Sequence, residues 1–150
     1  MTKALDTFLK ENRNKKIVFT NGCFDILHRG HITYLNMAKA LGDLLFVGLN
    51  SDASVKSIKN PDRPINNEVD RKFMLESLKA VDFVEIFNES TPLELIKLVK
   101  PNYLVKGGDW PVHTIVGHDF VTSYGGVVQT LTFVEGESTT QFIAKLQGKK

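Results

Sequence analysis

Five short runs of apolar and β-branched residues, at positions 16–19, 44–49, 83–87, 103–106 and 127–133, recur along this chain, each bounded by Gly, Asn, Asp or Pro. Runs of this length with few polar interruptions suit strands buried on both faces of a parallel sheet. Helical spacing fills the intervals. Tyr34, Ala38 and Leu41 share a face that ends at Gly42, and Met74, Leu78 and Val81 share another. Leu95, Leu98 and Val99 follow Thr91-Pro92, which reads as a cap and a first-turn proline. Val116, Phe120 and Tyr124 are spaced for a helix that stops at Gly125-Gly126, and Phe142, Ile143 and Leu146 give a last one behind Ser138. Alternating strand and helix implies right-handed crossovers with helices on both faces of the sheet. The expected fold is α/β, a single Rossmann-like doubly wound domain with a five-stranded parallel sheet over residues 16–150. An amphipathic helix precedes it in residues 1–15, where Leu5, Phe8 and Leu9 lie on one side and pack on the domain or on a partner chain.

Ligands in such folds sit at the carboxyl ends of the strands. That rule draws His28, Asn50, Lys106 and the start of the helix behind Ser138 into one cleft. The stretch after the first run carries the most chemistry: Thr20-Asn21-Gly22-Cys23-Phe24-Asp25 leads into His28-Arg29-Gly30-His31. A helix N-terminus there offers unpaired amides and a positive dipole end, and Gly30 removes a side chain that would block close approach. His28 and His31 are then placed to donate hydrogen bonds to phosphate oxygens. Two other readings exist, surface histidines at a helix start or two zinc ligands on one helical face. Zinc takes three or four ligands, whereas His113 and His118 lie far off in sequence and Cys23 is the one nearby sulfur, so the pattern favours phosphate over metal.

Composition excludes several classes. A chain of 150 residues with 42% hydrophobic content is one ordinary domain with a core. A net charge of +2, with Lys and Arg mixed among Asp and Glu, argues against a general nucleic-acid binder. One cysteine forms no internal disulfide, residues 1–16 lack the apolar core of a signal peptide, and no window approaches about 18 apolar residues. The expectation is a cytoplasmic protein with no membrane partner. No P-loop string occurs, and the first run leads into His-x-Gly-His instead of a glycine-rich dinucleotide turn.

The string Phe24-Asp25-x-x-His28-x-Gly30-His31 resembles the signature of the cytidylyltransferase-like nucleotidyltransferases, which pass a nucleotidyl group from a nucleoside triphosphate to a phosphorylated acceptor. Val47-Gly48-Leu49-Asn50-Ser51-Asp52, Arg63-Pro64, Leu104-Val105-Lys106-Gly107-Gly108-Asp109 and Gly136-Glu137-Ser138-Thr139-Thr140 are similar, in order and position, to the branch that adenylylates heptose phosphate. The resemblance covers residues 16 to about 146. It implies ATP as co-substrate, Mg²⁺ entering with it, heptose 1-phosphate as acceptor, and ADP-heptose for lipopolysaccharide core or a related glycan as product. It also implies small-molecule substrates only and a homodimer, which the apolar face of the N-terminal segment would suit. Heptose enzymes of this type are often fused to a sugar kinase, for which this chain has no room, so a separate kinase is the expected supplier. The alternatives are a CTP-dependent enzyme acting on glycerol 3-phosphate or a similar small phosphate, and a nucleotide-binding regulatory module without turnover.

Residue by residue, the resemblance implies that His28, His31, Lys59, Arg71, Ser138 and Thr139 act on the transferred and leaving phosphates. It places Asn21, Gly22, Cys23, Phe24 and Gly30 against the nucleotide, with Arg63, Lys106, Gly107, Asp109 and Thr140. Asp25, Asn50 and Asp52 are the candidates for the acceptor. Several of these have a second reading. The connection 51–66 has no strand of its own and carries Lys56, Lys59 and Arg63, either as a phosphate-binding loop or as solvated loop charges. Asn60 stands there where the family pattern has glycine. Arg71 is otherwise a surface arginine paired with Asp70 or Glu68. Lys106-Gly107-Gly108-Asp109 is a backbone approach to the base or a plain β-to-α turn, and Trp110 stands where the family has tyrosine. Ser138 is an N-cap worth about 1 kcal/mol, part of an anion site, or both. Asp25 is a helix-start cap or a sugar or metal contact. Cys23 has no base beside it and reads as a packed residue whose backbone approaches the nucleotide. Glu137 beside phosphates is repulsive unless it turns away or meets a metal or a sugar hydroxyl.

Overall fold

The apolar runs form five parallel strands: β1 (Ile17–Gly22), β2 (Leu44–Asn50), β3 (Phe83–Phe87), β4 (Tyr103–Gly107) and β5 (Val127–Leu131). They appear in a computed structural model that describes residues 1–132 and 138–149. Their order is β3-β2-β1-β4-β5, so the chain builds outward from β1 on one side and then returns to build outward on the other. The reversal between β1 and β4 leaves a crevice at their carboxyl ends, where a doubly wound sheet receives its ligand. Phe19 of β1 lies beside Phe46 on one neighbour and Leu104 on the other, all three buried, which is why the sequence runs are apolar without alternation.

Helices cover both faces. On one, α2 (Arg29–Lys39) and α4 (Glu68–Glu76) lay Leu35, Ala38 and Leu75 on Val18, Leu45 and Val84. On the other, α1 (Lys3–Glu11), α5 (Leu93–Val99) and α6 (His118–Ser123) surround Phe19, Phe46 and Leu104. Gly42 closes α2 onto the start of β1, where a Cβ would stand 2.8 Å from both the Lys16 carbonyl and Val18 Cγ2. In α1, Thr2 caps the first turn by accepting the Leu5 amide at 3.2 Å, Leu5 is buried, and the Phe8 ring packs 4.5 Å from that of Phe83. The apolar face of α1 is therefore occupied by its own domain, which corrects the idea that it offers a dimer contact.

Four local expectations change. α4 ends at Glu76 with Ser77 as its C-cap, whose amide still closes the last helical turn on the Phe73 carbonyl and whose hydroxyl adds a second bond to it; Leu78 and Val81 reach the core from the turn that follows. α5 starts behind Pro92 with no side-chain cap, so Thr91 is not a cap. The connection 51–66 opens with a helix, α3 (Asp52–Ile58), capped by Ser51 and anchored by buried Val55. β5 stops at Leu131, and the last residue of that run lies outside the described residues, as does Glu137. The final helix, α7 (Thr139–Leu146), starts where expected, with Ser138 Oγ accepting the Gln141 amide at 3.1 Å.

Candidate active site

A cleft of about 820 Å³ opens over the carboxyl ends of β1 and β4. Its floor is the turn from β1 into α2. Phe24 makes that turn in the left-handed region (φ 44°), and its buried ring sits edge-on to the ring of His31 at 5.4 Å. A Cβ on Gly22 would stand 3.0 Å from the same ring.

His28 is the N-cap of α2. Its Nδ1 accepts the Gly30 amide at 3.1 Å, while His31 Nδ1 accepts the His28 amide at 3.4 Å, and the two rings stack 3.9 Å apart. A neutral imidazole that accepts at Nδ1 carries its proton on Nε2. The backbone thus fixes the tautomer of both rings and leaves each Nε2–H as a donor, in a pair that lines the cleft. Burial, and then the neighbouring His28, push the pKa of His31 down to about 4, so it remains a neutral donor at pH 7.

A stability change follows. An unfolded histidine titrates near 6.5, so between that value and about 4 the unfolded chain takes a proton that folded His31 refuses. His31 therefore contributes its full share above about pH 6.5, and that share falls as pH drops toward 4. Urea unfolding from pH 7 to pH 4 should show the decline, flattened in His31→Gln.

Asp25 is buried beneath the segment 60–66. Its carboxylate accepts from Arg63 Nε at 2.6 Å, from the Ile65 amide at 2.9 Å and from the Asn66 amide at 3.0 Å, and Asn66 Nδ2 donates to its carbonyl at 2.8 Å. Burial alone raises the Asp25 carboxyl. The hydrogen bonds from Asn66, Ile65 and Arg63, with the guanidinium charge, outweigh that and hold it below the ordinary carboxylate range. Asp25 is thus not the cap of α2, which is His28; it does line the cleft, but its carboxylate oxygens are engaged in holding down a strap. The strap brings Lys59 and Arg63 to the cleft, and Lys56 is not among the lining residues. Asn60 makes the turn in place of a glycine: its Oδ1 accepts the Asp62 amide at 3.0 Å and its carbonyl the Arg63 amide at 3.1 Å.

Arg71 corrects both of its readings. It is fully buried, with Nε on the Asn66 carbonyl (2.9 Å), Nη1 on the carbonyls of Cys23 (2.7 Å) and Asn50 (2.8 Å), and Nη2 on Asp52 Oδ1 (2.7 Å). It touches neither Asp70 nor the cleft, but clamps the ends of β1 and β2 and the strap together. Asp52, taken up by Arg71, does not line the cleft either, which corrects its acceptor role; Glu68 instead receives the Asp52 amide at 2.7 Å. Gly30 is a third correction, since it is buried, its amide serves His28, and it does not line the cleft. Asn50 does line it, with Nδ2 on Ser54 Oγ at 2.9 Å. So do Asn21 and Cys23, whose thiol is pushed up by burial against the opposing pull of Lys59, Arg71 and Arg63.

On the far side, Lys106, Gly107, Gly108 and Asp109 leave the end of β4 along the cleft wall, with Gly108 at φ 105°. The start of α7 completes the site: Ser138, Thr139 and Thr140 line it, and Thr139 Oγ1 donates to the Ile26 carbonyl at 3.4 Å, tying α7 to the turn before α2. Ser138 is thus a cap and a lining residue at once. Sequence reasoning missed Ser90, Thr91 and Pro92 on the wall. They follow the carboxyl end of β3, and the strand-end rule that found Asn50 and Lys106 would have found them. Among the described residues no group of three or more His, Cys, Asp or Glu gathers to hold a metal, and no helix is long and apolar enough to cross a membrane.

The family model described as cytidylyltransferase-like matches residues 19–143. The chain is 57% identical over 135 residues to the bifunctional protein HldE of a Nitratiruptor species, covering 90% of this chain and 28% of that protein. Against the bifunctional protein HldE of Campylobacter fetus subsp. fetus (strain 82-40) it is 53% identical over 146 residues, 97% of this chain and 31% of that one. It thus spans less than a third of the length of these curated relatives. Among solved structures, the lipopolysaccharide core biosynthesis protein from Thermoplasma volcanium GSS1 superposes with a TM-score of 0.63 at 28% identity, over 82% of this chain and 99% of that one. A pantoate-beta-alanine ligase from Francisella tularensis shares the fold, with a TM-score of 0.58 at 14% identity, over 97% of this chain and 78% of that one.

Proposed function

Because this chain belongs to the cytidylyltransferase-like family, we propose that it is an adenylyltransferase joining ATP to D-glycero-D-manno-heptose 1-phosphate, with ADP-heptose and pyrophosphate as products. The observation that carries the reading is the backbone-fixed pair His28 and His31, two neutral Nε2–H donors lining one cleft with Ser138, Thr139 and Thr140. The choice of ATP and heptose is supported by the resemblance of the stretches around Asn50, Lys106 and Ser138, and by the likeness to a lipopolysaccharide core biosynthesis protein.

The chemistry asks little of a base. The acceptor phosphate oxygen is an anion at neutral pH, so it attacks the α-phosphorus directly; the new O–P bond forms as the bond to the β-phosphate oxygen breaks, and pyrophosphate leaves with the electron pair. The protein then works by alignment and by donors aimed at developing charge. His28 and His31 donate to phosphate oxygens, Ser138 and Thr140 offer hydroxyls at the start of α7, and Thr139, whose hydroxyl donates to the Ile26 carbonyl, holds that start in place. Lys59 and Arg63 bring positive charge from the strap, and Lys106 brings it from β4. Asn21, Gly22, Cys23 and Phe24 carry the backbone past the nucleotide, Gly107 and Asp109 border it, and Asn50 meets the acceptor hydroxyls. Arg71, Asp52, Asp25 and Gly30 are positioning residues. Mg²⁺ bound to the triphosphate would spread its charge; Asp109 is the lining carboxylate left to approach it, which suits an ion that needs one or two protein ligands.

The strap makes a separate prediction. Asp25→Asn weakens the acceptor of Arg63 and of two amides, and hydrogen bonds to charged groups are worth about 1.5–3 kcal/mol. Steady-state kinetics should give a KM for ATP raised about tenfold or more, with faster proteolytic nicking between residues 59 and 66.

The reading itself is tested by pyrophosphate release with ATP and with CTP, each against both anomers of heptose 1-phosphate and against glycerol 3-phosphate, with Mg²⁺ present. Turnover with ATP and one heptose anomer is the expected result. Turnover with CTP and glycerol 3-phosphate replaces it with a cytidylyltransferase, and nucleotide binding with no pyrophosphate from any pair replaces it with a regulatory module. A homodimer in the cytoplasm belongs to the same proposal; sedimentation over a range of concentrations tests the dimer.

A further inference from the structure

Where β2 ends, the chain buries three polar side chains close together in sequence: Asn50, Ser51 and Ser54 are 4%, 1% and 3% exposed. Buried polar groups are costly unless they are hydrogen-bonded, so each needs a reason to be there. Ser51 has a common one, since its Oγ caps α3 by accepting the Ser54 amide at 3.2 Å. Ser54 has a different one. Its Oγ accepts from Asn50 Nδ2 at 2.9 Å and donates to the Glu89 carbonyl at 3.3 Å. A hydroxyl has one proton to give, and the carbonyl takes it, so toward Asn50 this serine only accepts. The Asn50 amide is thereby turned one way, with its nitrogen on Ser54 and its Oδ1 neither enclosed nor bonded to any described residue. Asn50 lines the cleft, so that oxygen is offered there, whereas Ser54 itself is not among the lining residues.

We propose that Ser54 is a positioning residue for the acceptor: it fixes Asn50 as an oxygen that reads a hydroxyl, and it holds beside it the segment Ser90-Thr91, whose hydroxyls select the polyhydroxylated body of a sugar phosphate. The inference rests on the proposed nucleotidyl transfer and adds the groups that recognise the sugar. An amide oxygen only accepts. Phosphate oxygens are acceptors as well, so Oδ1 of Asn50 meets a hydroxyl and turns a phosphate away, while His28 and His31 in the same cleft offer donors. The two polarities sort the two ends of a phosphorylated acceptor. The bond to the Glu89 carbonyl has a second effect, because Ser90 and Thr91 follow directly, line the cleft and bring it two further hydroxyls. Contacts to a sugar body remote from the reacting phosphorus act equally in ground and transition states, which places their effect in the KM of the acceptor.

Calorimetric titration with ADP-heptose and with ADP, which differ only by the sugar, tests this in the wild type, Ser54→Ala, Thr91→Val, Asn50→Ala and the Asn50→Ala, Ser54→Ala double variant. Ser54→Ala and Thr91→Val should each weaken ADP-heptose about three- to tenfold and leave ADP unchanged. Ser54→Ala should cost nothing further once residue 50 is alanine, because it acts through that side chain. In steady-state kinetics Ser54→Ala raises the KM for heptose 1-phosphate by the same factor and leaves the KM for ATP where it was. Equal weakening of both ligands, as a loosened α3 would give, overturns the proposal. So does ADP-heptose affinity untouched in either single variant, or independent losses in the double variant. Pyrophosphate release is read separately. The expected titrations without turnover leave the sugar subsite standing and overturn the proposed reaction, whereas turnover with ADP-heptose affinity untouched by Ser54→Ala does the reverse. No binding of either ligand by the wild type overturns both.

Discussion

Replacing His28 by alanine lowers kcat by about 10²–10³, the loss that follows when one aligned donor to a developing charge is removed. The variant also loses the N-cap of α2, because Nδ1 of the same ring accepts the Gly30 amide. The cap alone is worth about 1 kcal/mol. His28→Asn separates the two roles. Asparagine is among the strongest N-cap residues, so it restores most of the stability, yet it is too short to present a donor where Nε2 stands. Steady-state kinetics and thermal unfolding of both variants decide the matter: the expected pattern is a stability difference between alanine and asparagine with the same large kcat deficit in each. An asparagine variant with wild-type kcat would reduce His28 to a structural cap.

Arg71→Met unfolds the protein more readily by about 3–5 kcal/mol, the range for breaking a buried charged pair from one side. The number is large because four acceptors lose their donors together: the carbonyls of Cys23, Asn50 and Asn66, and Asp52 Oδ1. Domains of ordinary stability hold only about 5–15 kcal/mol in total, so this one substitution removes about a fifth of it at the least. Arg71→Lys does not rescue, since an ammonium on a single point cannot span groups that a planar fork reaches from three nitrogens. Denaturant titration measures the loss. A lysine variant as stable as the wild type would show that charge alone, without the fork, holds the loops.

The fold was legible because buried parallel strands leave a distinctive trace. Ile17 to Thr20 and Leu45 to Asn50 are apolar or small almost without break, and only a sheet covered on both faces asks for that. The cleft was legible for a related reason: strand ends can be counted along the chain, and they delivered His28, Asn50, Lys106 and Ser138 to one place. Direction was not legible. Arg71 and Asp25 were visible as charges, but their partners lie 48 and 40 positions away in sequence, at Cys23 and Ile65, and no local pattern encodes a hydrogen bond of that span. The same holds for Asp52, which looks as free as Asn50 until Arg71 turns it inward. Thr91-Pro92 marks the start of α5 to within one residue, with Pro92 and not Thr91 at the N-cap, but nothing in the pair shows that both residues also line the cleft.

The strap above Asp25 has one more consequence. Disordered loops that close on a ligand lose conformational freedom at the moment of binding, and that loss is subtracted from affinity. Here Arg63, Ile65 and Asn66 are already tied to a buried carboxylate before any ligand arrives. The ordering is carried out once, when the chain folds, and is shared by every later encounter. The cationic rim therefore behaves as a rigid wall of the receptor and not as a gate, and a triphosphate meets its arginine already in place.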